Sequence, residues 1–212
     1  MQDPQADVSE SGNNMLASLY SKRGDNITRN GKGRFFVTVN PIKDLSITGS
    51  MLYEYTGNNT KEIPVFHDFW NFANNTILVE GKGQSYINQS STRNERNYMD
   101  LVAHYNHRFF SDKFGIGVMA GTSQERYTTE WENYGRKDLL DLSLSVLNGA
   151  NGEVSATGNK QVWAMRSYFG RINLDWESKY LLEFNLRTDG SSRFLKNDRW
   201  GWFPSFSAAW RI

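Results

Sequence analysis

Apolar and polar residues alternate along the chain with a period of two, in segments that come in pairs separated by short turns. The first pair covers residues 33–40 and 45–55, the second 98–109 and 114–125, and the third 168–176 and 180–189. Alternation with this period is typical of a β-strand that has one apolar and one polar face. The sequence therefore predicts three antiparallel hairpins.

The third hairpin shows the two faces most clearly. Its apolar row is Tyr168, Ile172, Leu174 and Trp176, continued by Tyr180, Leu182, Phe184 and Leu186, and its polar row includes Arg171, Asp175, Glu183, Arg187 and Asp189. Buried in hydrocarbon, such charges would each be costly. Charges of both signs on one face therefore predict a wet face on which side chains pair across strands.

The connections between the strands also alternate, in this case in length. Short turns join the strands of each hairpin, whereas long polar stretches rich in Asn and Gly, residues 56–96 and 126–161, separate the hairpins. Strands of about ten residues, with short turns at one end, long loops at the other and aromatic residues beside the turns, are typical of transmembrane β-barrels. A soluble β-sandwich also alternates, so the pattern favours the barrel and leaves the sandwich open.

One row of side chains separates these two architectures. In a barrel, Tyr180, Leu182, Phe184 and Leu186 face lipid and no protein covers them. In a sandwich, the same row must be buried against a second sheet.

The composition excludes some classes of function but does not identify one. Aromatic residues make up 14% of the chain and there are 18 glycines, which is a β-rich profile. The net charge of +1, from 24 basic and 23 acidic side chains, gives no reason to expect a nucleic-acid partner. The absence of cysteine excludes disulfides, zinc–thiolate sites and thiol nucleophiles.

The motifs that suggest chemistry are weak. His104 and His107 point to opposite faces of a strand, and Asp138 and Asp141 lie in a polar stretch without a partner histidine. The glycines of "GIGVMAG" lack the spacing of a dinucleotide site, so we expect them to relieve crowding on an inner sheet face. We therefore predict no catalytic residue, cofactor or metal site, and no enzyme.

Residues 163–212 strongly resemble the barrel segment of SusC/RagA-type TonB-linked (TonB-dependent) outer-membrane transporters. The resemblance rests on "RSYFGRIN" (166–173), "KYLLEFNLRTDGSSRF" (179–194) and "RWGWFPSFSAAWRI" (199–212). The signature positions are Arg166, Tyr168, Phe169, Gly170, Arg171, Asp189, Gly190, Ser191, Ser192, Arg193, Phe194, Trp200, Gly201, Phe203, Pro204 and Ser205.

The resemblance implies an all-β fold, an antiparallel transmembrane β-barrel segment of about seven strands with long outer loops. An odd number of strands does not close a bacterial barrel of this type, so the barrel is expected to be incomplete. Residues 1–32 are expected to form a loop region that could include a short helix. Residues 33–212 are expected to form a partial TonB-dependent-receptor β-barrel.

The resemblance also implies a function. The parent protein would import oligosaccharides or peptides across the outer membrane of a Gram-negative bacterium, in contact with outer-membrane lipid and a SusD-like surface lipoprotein. The TonB complex would act through an N-terminal part that we expect to lie outside this sequence. Loop aromatics and amides are the expected substrate contacts: Trp70, Asn71, Trp131 and Tyr134. The alternative is a soluble β-sandwich carbohydrate-binding module that stacks exposed tryptophans on sugar rings.

The resemblance also implies how the aromatic strand at residues 200–212 is oriented in the membrane. Residues 189–193 are expected to form an outer turn, and Trp200 and Trp202 to belong to the outer aromatic girdle. The expected lipid face is Pro204, Phe206, Ala208 and Trp210, and the expected interior face is Ser205, Ser207 and Arg211.

Overall fold

A computed structural model describes residues 19–71, 76–80 and 82–212 of the chain. Within these residues the regular structure consists of strands and two short 3₁₀ turns, Leu147–Gly149 and Lys196–Asp198. No helix among the described residues is long and apolar enough to cross a membrane. The strands are β1 (Lys22–Arg23), β2 (Asn26–Ile42), β3 (Leu45–Pro64), β4 (Phe69–Asn71), β5 (Thr76–Val79), β6 (Tyr86–Phe109), β7 (Phe114–Lys137), β8 (Val154–Trp176), β9 (Tyr180–Ser191) and β10 (Trp200–Trp210).

The described strands form one antiparallel sheet and a small separate hairpin. The sheet order is β1-β3-β6-β7-β8-β9-β10, with β2 also paired to β3, and β4 pairs with β5. Apart from the two-residue β1, the large sheet contains seven strands, β2, β3 and β6 to β10. The predicted all-β class and the predicted strand number are therefore confirmed.

The strands are longer than the alternation predicted. β3 runs to Pro64 and β6 begins at Tyr86, so both strands enter the segment 56–96 that was expected to be a loop. β7 runs to Lys137 and β8 begins at Val154, so both strands enter the expected loop 126–161. The connecting segments are therefore only 65–85 and 138–153. A strand with polar residues on both faces still pairs through its backbone, but it has no apolar period to reveal it.

Strand pairing also begins earlier than residue 33. β1 and the start of β2 lie within the expected loop region 1–32, whose residues 1–18 are outside the described part. Gly24 separates β1 from β2 with a φ of +147°, and a Cβ there would lie 1.8 Å from the Lys61 carbonyl oxygen. Only glycine fits this backbone approach, so the edge of the sheet continues past an irregularity that apolar patterning does not mark.

The chain divides into two compact units. Among the described residues, those within 1–28, 57–92 and 131–159 form the first unit, and those within 29–56, 93–130 and 160–212 form the second.

In the second unit, one sheet face carries large apolar side chains without a protein cover. Tyr180, Leu182 and Phe184 are 54, 43 and 45% exposed, and Leu186 is half-buried. A β-sandwich would have buried this row under a second sheet. The exposure contradicts the sandwich alternative and agrees with a strand that faces lipid.

The registers of β8, β9 and β10 extend this apolar row across three strands. Ile172 pairs with Phe184, and Phe184 pairs with Phe206. The remaining predicted residues of the β10 row, Pro204, Ala208 and Trp210, lie opposite Leu186, Leu182 and Tyr180. Because directly paired residues share a sheet face, the predicted apolar row of β10 is confirmed as one face.

Aromatic rings line the short turns of the second unit. The ring of His107 lies 4.3 Å from that of Phe109, Phe109 lies 6.1 Å from Phe114, and Phe114 lies 6.0 Å from Trp176. His107 Nδ1 is also 2.6 Å from Asp44 Oδ2 in the β2–β3 turn. The aromatic residues that the sequence placed beside the turns therefore form a continuous row, and His107 is part of it.

The first unit has a small apolar core of its own. Ile63 of β3 and Ile87 of β6 are buried together with Leu139 and Ala150 from the connection 138–153. Asp141 Oδ1 accepts a hydrogen bond from the Ser143 amide at 2.6 Å, which shapes the connection, and the Ser143 contacts hold the pKa of Asp141 below its usual value. The connection 138–153 is thus a loop with one 3₁₀ turn, Leu147–Gly149.

A pair of substitutions on β10 tests which face meets hydrocarbon. Phe206→Lys places a charge on the apolar row and should lower the free energy of unfolding by about 2–4 kcal/mol in detergent micelles or lipid. Ser207→Lys changes the next residue on the opposite face, beside Glu183, and should cost much less. Denaturant titration of both variants would measure this; equal costs would contradict the assignment of faces.

Candidate functional site

The polar face of the second unit carries a chain of alternating charges across β2, β3, β6 and β7. Glu54 pairs with Lys32 and accepts a hydrogen bond from Arg96 Nη1 at 3.1 Å. Arg96 Nε donates to Glu125 Oε1 at 2.5 Å. The four side chains neutralise one another while they stay partly exposed, which suits a wet wall and not a hydrocarbon-facing one.

A second group of charges lies on the same face of β8 and β9. Arg171 Nε donates to Asn185 at 2.6 Å and lies 3.9 Å from Glu183. Arg187 Nε contacts Asp189 Oδ1 at 2.8 Å, and Arg108 of β6 reaches Asp175 at 3.0 Å. The predicted cross-strand pairing is confirmed for Arg171 with Glu183, whereas Arg187 and Asp189 pair along the same strand, β9. Arg108 of β6 is a partner that the hairpin alone did not indicate.

Signature residues of β8, β9 and β10 lie at successive levels of these adjacent strands, together with Ser167, Asn185, Leu186 and Arg187, which are not part of the signature. The levels across β8, β9 and β10 are Arg166–Gly190–Trp200, Ser167–Asp189–Gly201, Phe169–Arg187–Phe203, Gly170–Leu186–Pro204 and Arg171–Asn185–Ser205. Their proximity indicates that these residues fix the packing of the three strands.

Gly190 provides the space for one aromatic contact. A Cβ at Gly190 would lie 2.8 Å from Trp200 Cε2, so the indole ring lies across the glycine backbone. The same indole stacks on Tyr168 of β8, with ring centroids 5.8 Å apart and planes at 25°. Gly190 thus allows Trp200 to bridge β10 and β8 over the strand between them.

Gly121 of β7 likewise provides space for an aromatic ring, in this case on the polar face. A Cβ there would lie 2.6 Å from Phe169 Cε2 and 3.0 Å from the Leu101 carbonyl oxygen. The Arg187 guanidinium lies 5.8 Å from the centre of the Phe169 ring, a cation–π arrangement. The prediction that the glycines of "GIGVMAG" relieve crowding is confirmed, since a Cβ at Gly117 would also meet Asn106 Oδ1 at 2.9 Å.

The turn after β9 is tied back to β8 by its signature serine and arginine. The amide of Ser192 donates to the Ala164 carbonyl, and the Ala164 amide donates to Ser192 Oγ, both at 2.8 Å. Arg193 lies 5.0 Å from the centre of the Trp163 ring, which stacks on Tyr127 of β7. The "DGSSRF" segment therefore has a structural role in closing this turn.

The first unit contains an open depression of about 380 Å³ lined by amide and hydroxyl groups. Its lining residues are Thr60, Glu62, Asn88, Gln89, Ser90, Asn133, Tyr134, Gly135, Ser155, Ala156 and Thr157. Gly135 admits the Asn88 side chain, which a Cβ would displace. Such groups offer hydrogen-bond donors and acceptors but little charge, so the depression suits a neutral polar ligand.

Of the four predicted substrate contacts, the structure places one in the depression. Tyr134 lines the depression, whereas Trp131 does not. The side chains of Trp70 and Asn71 lie outside the described part of the structure. Asn88 and Asn133, which also line the depression, were not among the contacts predicted from the sequence. The sequence signal that could have indicated them was the long polar stretches in which they lie.

Glu62, which lines this depression, holds β1 in place. Lys22 Nζ of β1 and the Tyr86 hydroxyl contact the same carboxylate oxygen, Glu62 Oε1, at 2.9 and 2.8 Å. These hydrogen bonds, first from Lys22 and then from Tyr86, hold the pKa of Glu62 below its usual value. Burial, followed by the bond to Glu62, raises the pKa of Tyr86.

Curated relatives match parts of the chain. TonB-dependent receptor P3 of Formosa agariphila is 30% identical over 142 residues, which is 65% of this chain and 14% of that protein. TonB-dependent receptor P39 of the same organism is 32% identical over 108 residues, 49% of this chain and 10% of that protein. TonB-dependent receptor SusC of Bacteroides thetaiotaomicron is 54% identical over 46 residues, 22% of this chain and 5% of that protein. The chain thus spans a small part of the length of each, and no family model matches it.

A solved structure described as the RagAB peptide transporter has the same fold over most of the chain. The TM-score is 0.78 at 18% sequence identity, and the match covers 91% of this chain and 20% of that one. The RagAB peptide importer in its open-open state matches with the same TM-score, 0.78. At this identity the likeness concerns the fold alone.

Crowding at Gly121 can be tested by substitution. Gly121→Val should displace Phe169 and the Arg187 contact, and so lower the free energy of unfolding by about 1–3 kcal/mol. Gly33→Val is the control, because no atom lies within 4 Å of a Cβ at Gly33. Adding Phe169→Ala should recover part of the loss. Denaturant unfolding would measure the free energy of unfolding of all three variants, and equal costs at positions 121 and 33 would contradict the packing of Phe169 against Gly121.

The Glu62 contacts predict a pH dependence with a definite sign. Because the folded-state pKa of Glu62 is lowered, its contribution to stability is present at neutral pH and is lost as the pH falls through that lowered value. Lys22→Met should raise the pKa of Glu62, as a ¹³C NMR titration of the carboxyl group would measure. Lys82→Met is the control, because Lys82 pairs with Glu80; an unchanged Glu62 titration in Lys22→Met would refute the contact.

Proposed function

Because the chain is related in sequence and in fold to a barrel segment of TonB-dependent receptors of the SusC/RagA type, we propose that it forms part of the wall of an outer-membrane transporter. The parent protein imports oligosaccharides or peptides into a Gram-negative bacterial cell. The observation that carries this proposal is the sheet of the second unit, whose apolar face is uncovered and whose opposite face carries paired charges.

The two faces support this proposal in different ways. Tyr180, Leu182 and Phe184 stay exposed, which is unfavourable in water and favourable in contact with lipid chains. The charges around Arg96 and Arg187 are paired but still partly exposed, as in a hydrated interior. One surface therefore meets lipid and the other meets water or an enclosed polar domain.

The partners follow from the type of receptor. The short turns face the periplasm and the long connections face the outside, as in other bacterial barrels. Energy reaches the receptor from the TonB complex. A SusD-like surface lipoprotein delivers the glycan or peptide, and no chemical step on the substrate belongs to the proposal.

The depression of the first unit is the best candidate for a substrate contact on this chain. Tyr134 offers a flat ring and a hydroxyl beside the amides of Asn88 and Asn133, and the charge of Glu62 is already engaged by Lys22. Trp131, which does not line the depression, remains a proposed contact, as do Trp70 and Asn71. A neutral ligand rich in hydroxyl or amide groups matches this lining.

Uptake by the full-length receptor tests the proposal. Cells that express it should accumulate labelled oligosaccharide or peptide, and an uncoupler that collapses the proton-motive force should abolish accumulation. Tyr134→Ala and Asn88→Ala should each weaken ligand binding roughly two- to tenfold, the usual effect of one lost hydrogen bond. Gln161→Ala, which removes an exposed amide outside the depression, is the control.

Two results would contradict parts of this proposal separately. Accumulation that continues after the proton-motive force collapses would contradict TonB-coupled transport. Normal binding by both Tyr134→Ala and Asn88→Ala would contradict the substrate contact and leave the transport function standing.

A further inference from the structure

The turn between β9 and β10, residues 192–199, exposes two large apolar side chains side by side. Phe194 is 61% exposed and Leu195 is 80% exposed. Single exposed apolar residues are ordinary on protein surfaces, whereas an adjacent exposed pair at the tip of an ordered turn indicates a surface that something covers.

Hydrogen bonds hold the turn in the conformation that exposes these two side chains. The Ser191 amide donates to the Arg199 carbonyl at 3.1 Å, and the Asp198 amide donates to the Leu195 carbonyl at 3.0 Å. Arg199 Nε donates to the Phe194 carbonyl at 3.2 Å. The backbone that carries Phe194 and Leu195 is therefore fixed before any partner arrives.

Basic side chains surround the apolar pair. Residues 193–199 contain Arg193, Lys196 and Arg199 against a single acidic side chain, Asp198. Arg166 of β8 lies at the level of Gly190 and Trp200, next to the start of β10. The charge around the turn is thus positive and complements an anionic partner.

The turn is continuous with an exposed aromatic group. Trp200 and Trp202, which follow the turn directly, are 47 and 65% exposed, and Tyr168, which stacks on Trp200, is 46% exposed. Tryptophan and tyrosine are enriched where a membrane protein crosses from hydrocarbon to headgroups. An exposed aromatic group of this kind beside the turn is the arrangement expected of a segment at the headgroup boundary.

We propose that the turn 192–199 is a lipid anchor. Phe194 and Leu195 enter the edge of the hydrocarbon layer, while Lys196, Arg199 and Arg166 bind the phosphate groups of anionic lipid headgroups. Apolar side chains flanked by cations are the arrangement by which interfacial segments hold anionic membranes. A soluble phosphate would need only the cations, whereas a lipid explains both the cations and the apolar pair. This inference rests on the proposed placement of the chain in a membrane.

The test uses the full-length receptor in phosphatidylcholine nanodiscs that contain spin-labelled phosphatidylglycerol. Electron paramagnetic resonance measures the motionally restricted lipid and so the preference for the anionic headgroup. Lys196→Gln with Arg199→Gln should reduce this preference by about fivefold for each cation removed, and added salt should weaken it in the unaltered receptor. Lys82→Gln, a basic residue of the connection 65–85, should leave it unchanged.

A second variant tests the apolar half of the anchor. Phe194→Ser with Leu195→Ser should lower the restricted fraction of both lipids and leave the preference between them in place. Heat-dependent mobility of each variant on a gel would show that the receptor is folded.

Several outcomes would overturn the inference. One is an unchanged preference in Lys196→Gln with Arg199→Gln, and another is competition by inorganic phosphate as strong as that by the lipid. A third is a variant that loses binding of a protein partner while its lipid preference stays intact. A receptor that enters the bilayer without headgroup preference refutes the anchor alone, whereas a receptor that does not enter bilayers refutes the proposed function.

Discussion

A sheet that separates hydrocarbon from water has to satisfy its backbone polar groups internally, because lipid offers no hydrogen-bond partner. The proposed placement of the second unit in a membrane therefore makes strand pairing obligatory there, and pairing sends successive side chains to opposite faces. Phe206 and Ser207 are neighbours in sequence, yet they pair with Phe184 and Glu183 on different faces. The apolar row, the paired charges and the aromatic rings beside the turns all follow from this alternation.

The polar face must still pack side chains of very different size, and glycine makes that packing work. At Gly121 the Phe169 ring occupies the space that a Cβ would need, and Arg187 lies near the same ring. At Gly190 the Trp200 indole crosses a strand to reach Tyr168. In both cases a ring from one strand covers the backbone of the next, so glycine and aromatic residues together fix the register of neighbouring strands.

Sequence reasoning succeeded where the two faces of a strand carry different kinds of side chain. The rows through Phe184 and Arg187 could be predicted from the sequence because apolar and charged residues alternate there. Around Asn88 and Asn133 both faces are polar, so the strands had no period and were taken for loops. Tyr134 was chosen as a loop aromatic, and the depression around it depends on residues from four strands, β3, β6, β7 and β8, whose juxtaposition no local pattern encodes.

The residues that carry the resemblance to the receptors and the residues that suit a ligand are therefore different sets. Gly190, Trp200 and Ser192 hold strands and a turn together, and such positions tolerate little change because each contact excludes a Cβ or uses a backbone group. The depression lined by Asn88, Asn133 and Tyr134 has no comparable constraint on its open side. Substitutions there alter the pattern of donors and acceptors without disturbing strand pairing, so the proposed ligand contact can change while the sheet stays the same.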